Sequence, residues 1–166
     1  GFIKEGARIL SLAGGTYPGG FTLNSGMVVV GGVNALGTGA LTINGGTLAA
    51  SATRDLTGKY TGGITIGGDF TLGSGTTPAV ATSNLTFTNN IALGGATRPI
   101  TIGGTGTYSL GGIISNGGLT INNSASGNIT LTGVNTYTGS TTLNGGIFRL
   151  NPSANTSNLT PYVLNG

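Results

Sequence analysis

The chain has 166 residues, of which only 5% are charged, far below the roughly 25% of an ordinary globular domain. Cysteine and histidine are absent, which excludes disulfide frameworks, thiolate metal sites and any Ser-His or Cys-His nucleophile pair. The net charge of +3 comes from Lys4, Arg8, Arg54, Lys59, Arg98 and Arg149, scattered without aromatic interleaving, so no phosphate-tracking patch and no nucleic-acid partner is expected.

In chain order, a short alternation of apolar residues and Thr followed by a turn recurs. It runs through Phe21–Asn24, Leu41–Asn44, Ile64–Gly67, Phe70–Gly73, Leu85–Thr88, Ile100–Gly103, Leu119–Asn122 and Ile129–Thr132. In each unit the two apolar residues lie two apart, so they share one strand face and Thr takes the other. Gly or Asn ends each strand, since both tolerate positive φ. No segment has a helical period, so helix content is expected to be near zero.

Thr (28), Asn (16) and Ser (12) supply the polar surface that charge does not. The 35 glycines follow no strict three-residue period, which excludes collagen. The regular apolar recurrence argues against disorder. No apolar run approaches the roughly 18 residues of a membrane-spanning helix, and no signal peptide opens the chain. If the protein is exported, its targeting segment lies outside these residues.

Strands this short must stack against many others. An antiparallel sandwich or barrel and a parallel solenoid both satisfy that need. Internal repetition favours the solenoid, whose units bury their apolar faces on one another. The strongest repeat pairs Thr16–Met27 with Thr136–Ile147, aligning Tyr17 with Tyr137, Thr22 with Thr142, Leu23 with Leu143, Asn24 with Asn144 and Gly26 with Gly146. Leu10–Gly14 matches Ile129–Gly133 more loosely. Neither end carries a distinct cap. Residues 1–166 are therefore expected to be a single repeat segment of a longer protein or assembly, meeting neighbouring repeats or copies of itself through open ends.

Two stretches resemble a known family. Residues Leu131–Leu150, with Asn135, Tyr137, Gly139 and Gly146, are similar to the autotransporter passenger-associated β-strand repeat, and so are residues Lys4–Val30. Asn34–Leu48 resembles the segment that often follows that repeat. The first copy departs from the pattern at Gly15, where the family has Asn, and at Pro18 after the Tyr. The resemblance implies an all-β, right-handed parallel β-helix, export, and a stalk or adhesin-like passenger role at a bacterial cell surface. At roughly 20 residues per turn, the chain would make about seven or eight rungs. In such a helix, Asn residues at one corner should form an amide ladder.

Catalytic signals are sparse. The acids Glu5, Asp55 and Asp69 lie in different repeats, whereas glycoside chemistry uses paired carboxylates. Gly67-Gly68-Asp69 is the nearest fragment of a calcium-binding β-roll repeat, but no array of acids fills an oxygen shell around it. Gly103–Gly106 hints at a phosphate loop but lacks the lysine and the helix. Five Asn-x-Ser/Thr sequons, at Asn84, Asn122, Asn128, Asn155 and Asn158, match what composition gives by chance.

Tyr17, Tyr60, Tyr108 and Tyr137 could build a sugar-stacking platform or pack at rung edges. Thr86/Thr88, Thr105/Thr107, Thr130/Thr132 and Thr136/Thr138 have the Thr-x-Thr form of ice-binding solenoids, at irregular spacing. No catalytic, cofactor-binding or metal-ligating residue is assigned. The expected role is a non-enzymatic extracellular stalk or adhesin-like segment, insensitive to salt and pH, with surface glycans as a further partner class. The alternatives are a filament subunit stacking end to end, and a carbohydrate-binding or carbohydrate-cleaving β-helix working through Asp55 or Asp69.

Overall fold

A computed structural model describes residues 1–15, 17–76, 82–150 and 162–165; Thr16, Asn155 and Asn158 lie outside them. The described chain is all strand and turn, wound as a β-solenoid of about seven turns. The first turn holds β1 (Phe2–Lys4) and β2 (Ile9–Leu12), and the second β3 (Phe21–Leu23) and β4 (Met27–Val30). The third holds β5 (Leu41–Ile43), β6 (Thr47–Ala50) and β7 (Arg54–Asp55), and the fourth β8 (Ile64–Ile66), β9 (Phe70–Leu72) and β10 (Leu85–Phe87). The fifth turn holds β11 (Ile91–Ile102) and β12 (Thr107–Leu110), and the sixth β13 (Ile114–Asn123) and β14 (Asn128–Leu131). The seventh holds β15 (Thr141–Asn144) and β16 (Ile147–Leu150), and β17 (Tyr162–Asn165) stacks on β15.

Every pairing among these strands is parallel, and the registers define three faces. On the first, Phe2, Phe21, Leu41, Ile64, Ile91 and Ile114 stand in one line. On the second, Leu10, Val28, Leu48, Leu72 and Ile102 do the same. The third begins only at β7 and carries Leu85, Tyr108, Ile129 and Phe148 in register. β11 and β13 each run round the corner between the first two faces. Those faces therefore join into one twelve-stranded sheet, while the third is a separate five-stranded sheet.

The alternation predicted from sequence dictates this packing. In β3, β5, β9 and β10 the flanking apolar residues are buried and the central Thr is half-buried. The inward residues form one continuous cluster from Phe21 to Tyr137. Each large apolar side chain removed from water in this way contributes about 1.5–3 kcal/mol before entropy is counted.

The internal repeat is equivalent in local structure but not in face. β3, Asn24, Gly26 and β4 turn the corner from the first face to the second, whereas β15, Asn144, Gly146 and β16 turn the corner from the second to the third. The motif thus encodes a strand-corner-strand unit that fits more than one corner of the prism.

Candidate functional site

The corners carry the organised polar chemistry. Asn44 Nδ2 donates to Asn24 Oδ1 at 2.9 Å, and Asn24 Nδ2 donates to Glu5 Oε1 at 2.9 Å. A second ladder runs from Asn165 to Asn144 to Asn122, with both bonds 2.8 Å. Ladder partners lie 19 to 22 residues apart in sequence, matching one turn, as the stacking argument predicts. Gly67 follows above Asn44, where a Cβ would overlap Asn44 Oδ1. The Gly67-Gly68-Asp69 fragment therefore closes a ladder rather than opening a calcium loop.

Other Asn residues bridge turns through the backbone. Asn84 Oδ1 accepts from the Thr107 amide at 2.7 Å, and Asn90 Oδ1 from the Ile113 amide at 3.0 Å. Among the described sequons, Asn84 and Asn122 thus have their side chains engaged, and Asn128 Oδ1 is buried.

The tyrosines do not form a stacking platform. Tyr60, Tyr108 and Tyr137 are in the interior, each 2% exposed or less, all three within the core cluster and Tyr108 in line with Leu85 and Ile129. Only Tyr17 of the four is half-buried, its ring 5.8 Å from that of Phe2. Burial raises all three interior phenols above their ordinary value of 10.0. At Tyr137 the Thr141 hydroxyl, 2.6 Å away, offsets part of the rise.

A phenol whose folded pKa is raised stabilises the fold fully below its unfolded value and loses that stability as pH climbs through the folded one. No histidine titrates near neutrality. Asp55 is lowered chiefly by the Thr57 hydroxyl and next by the Thr57 amide, but it is fully exposed and so adds little. Denaturation midpoints should be flat from about pH 5 to about pH 9 and fall above about pH 10. A midpoint already falling between pH 6 and 8 would refute this account.

The three acids stay apart. Glu5 belongs to the first Asn ladder, Asp55 pairs in register with Thr86 on the third face, and Asp69 lies at the corner between the first and second faces. Among the described residues no three Asp or Glu side chains gather. Gly103–Gly106 turns a corner into β12 rather than into a helix.

The Thr pairs meet a similar fate. Thr86, Ser109 and Thr130 stack in one line on the third face. In the neighbouring line Gly111 separates Thr88 from Thr132, its Cβ position lying 3.2 Å from both. The middle turn thus lacks the second hydroxyl of the pair.

Two cations occupy inward positions that charge counting does not reveal. Lys4 is in line with Leu23 and is 7% exposed. Its Nζ donates to the carbonyls of Glu5 (2.8 Å), Gly6 (2.7 Å) and Ser25 (3.1 Å). Arg54 is in line with Leu85 at the first strand of the third face, and its Nη2 donates to Gly31 O at 2.6 Å. The signal for Lys4 is in the sequence: Phe2-Ile3-Lys4 places it where Phe21-Thr22-Leu23 has its second apolar residue.

One corner is irregular. Between Ala92 and Ala96 the register of β11 against β13 shifts, with Gly94 and Gly95 at φ 66° and 81°. Opposite them Asn116 (φ 59°) is the one non-glycine residue with positive φ among the described residues. A polar hollow of about 220 Å³ opens there, lined by Gly95, Thr97, Asn116, Gly117, Thr138 and Gly139 among others.

No family model, curated protein or solved structure matches this chain. No helix among the described residues is long and apolar enough to cross a membrane.

Proposed function

We propose that this chain is a structural segment of an extracellular bacterial surface protein, a stalk or adhesin-like passenger of the autotransporter passenger-associated repeat type, without catalysis. The observation that supports this reading is the parallel strand pairing that links every turn to the next. Each turn advances the chain by about 4.8 Å, so a short sequence yields length. Its stability comes from backbone ladders, Asn ladders and a dry core rather than from charge. Those properties suit a rigid spacer exposed to changing salt and pH.

The test uses an antibody raised against this segment on intact cells of its source, with the intact mass of the reactive polypeptide measured after full denaturation. The expected result is surface label without permeabilisation, on a polypeptide far heavier than 16.1 kDa. Label that appears only after permeabilisation would overturn the reading.

A further inference from the structure

We propose that Asn116 is a site of spontaneous covalent modification, at which the side-chain amide is lost through a cyclic imide and a carboxylate takes its place. The chain contains the sequence Asn-Gly-Gly at residues 44–46, 116–118 and 144–146. A glycine after Asn leaves the next backbone nitrogen unshielded by a Cβ, and Asn is among the thermally labile residues. Local sequence therefore treats the three sites alike, and Asn44, Asn116 and Asn144 are all exposed. What separates them is how the fold holds each amide.

The two ladder members are held. Asn44 Nδ2 donates to Asn24 Oδ1 at 2.9 Å. Asn144 Nδ2 donates to Asn122 Oδ1, and its Oδ1 accepts from Asn165 Nδ2, both at 2.8 Å. Either side chain must leave its ladder before it can cyclise. Asn116 makes no side-chain hydrogen bond among the described residues. Its backbone also lacks a register partner. Ser115 pairs with Ala92 and Gly117 with Ala96, so Leu93, Gly94 and Gly95 stand opposite Asn116 alone. Its φ of 59° is a conformation that non-glycine residues disfavour, so little is lost when the chain leaves it. The hollow of about 220 Å³ beside it admits the water that the second step needs.

The chemistry needs no further reactant. Gly117 N attacks Asn116 Cγ and forms an N–Cγ bond. The Cγ–Nδ2 bond breaks, and Nδ2 departs as ammonia with the Gly117 amide proton. Water then opens the ring. Opening at Cγ leaves Asp, and opening at the main-chain carbonyl leaves isoaspartate, whose backbone runs through Cβ and Cγ. Either product exchanges NH2 for OH and lowers the net charge by one, from +3 to +2. The extra main-chain carbon of isoaspartate falls where β13 has no partner, so the solenoid stays folded.

Peptide mass mapping of the purified folded chain, held at mildly alkaline pH over weeks, tests the site. An isoaspartate-specific methyltransferase gives a second readout. Asn116 should convert about tenfold faster than Asn44 or Asn144, the factor set by one hydrogen-bonded amide. In denaturant the three rates should converge, because the three sites share one local sequence. Asn24→Ala removes the acceptor of Asn44. With the circular dichroism spectrum of the parent, it should bring Asn44 towards the rate of Asn116 and leave Asn144 slow. The comparison within the parent chain stands without that variant. An intact Asn116, an Asn44 that converts as fast as Asn116 in the folded parent, or an undiminished lead of Asn116 in denaturant would each overturn the proposal. None of these outcomes bears on the surface-location experiment, so the two readings fail separately.

Discussion

Gly73→Ala should be among the most damaging single-methyl additions in this protein, lowering stability by about 2–5 kcal/mol. Gly73 follows β9 with φ 74°, where any Cβ pays the left-handed penalty of roughly 1–2 kcal/mol. The added methyl would also overlap the hydroxyl of Tyr108, a fully buried side chain in line with Leu85 and Ile129. Overpacking of a dense interior costs about 1–3 kcal/mol more. The Gly106 backbone lies close enough to offset part of the rise in the Tyr108 pKa, but it does not align into a hydrogen bond with the hydroxyl. Tyr108→Phe alone should therefore be mild, and Gly73→Ala with Tyr108→Phe should recover the steric share of the loss but not the backbone share. Denaturant midpoints of the two single variants and the double variant measure this coupling. Strict additivity would show that Tyr108 is not what Gly73 accommodates.

The strands were legible in the sequence because period-two alternation identifies the inward side of a strand without reference to anything distant. Leu119-Thr120-Ile121 and Ile129-Thr130-Leu131 are buried at their apolar residues as that alternation requires. What alternation cannot specify is which face a strand joins. The motif around Asn24 and the motif around Asn144 are nearly identical, yet they turn different corners. Turn length decides this, and the long connection after β9 and the bulge in β11 change it one turn at a time.

Residue class also misleads where position overrides it. Tyr60, Tyr108 and Tyr137 suggest a surface platform by composition, but each occupies an inward position, and burial of so large an apolar body outweighs the preference of its hydroxyl for water. Lys4 and Arg54 suggest solvated charges, yet both occupy inward lines: Lys4 donates to three backbone carbonyls, and Arg54 Nη2 donates to Gly31 O while its Nε is buried without a partner. A cation can hold such a position because its stem packs like an aliphatic side chain while its head reaches a polar corner. The hollow was not legible at all. It depends on a two-turn mismatch in corner length, and the glycines that form it are unremarkable in a chain with 35 of them.

Asn135→Ala should cost about 2–3 kcal/mol, more than the loss of any exposed ladder Asn, because it breaks a buried clamp between turns. Asn135 is fully buried, and its Oδ1 accepts from the Ile114 amide at 3.0 Å. The next two amides close on the same residue: Thr136 N and Tyr137 N both donate to Ile114 O, at 2.9 and 3.2 Å. Asn-Thr-Tyr thus grips both backbone groups of one residue in the preceding turn, which gives these residues of the repeat motif a physical reason. Alanine would leave the Ile114 N–H without its acceptor in a site closed to water, and the full desolvation penalty would follow.

The first copy of the motif gives the control. It has Gly15 at the corresponding position, and a Cβ there would run into the ring of Tyr17. Gly15→Asn should therefore destabilise, although it restores the residue found in the second copy. Chemical denaturation of the two variants decides between these accounts. A loss under about 0.5 kcal/mol for Asn135→Ala, as at an exposed site, would mean that the amides of Thr136 and Tyr137 hold the turns together without the side chain.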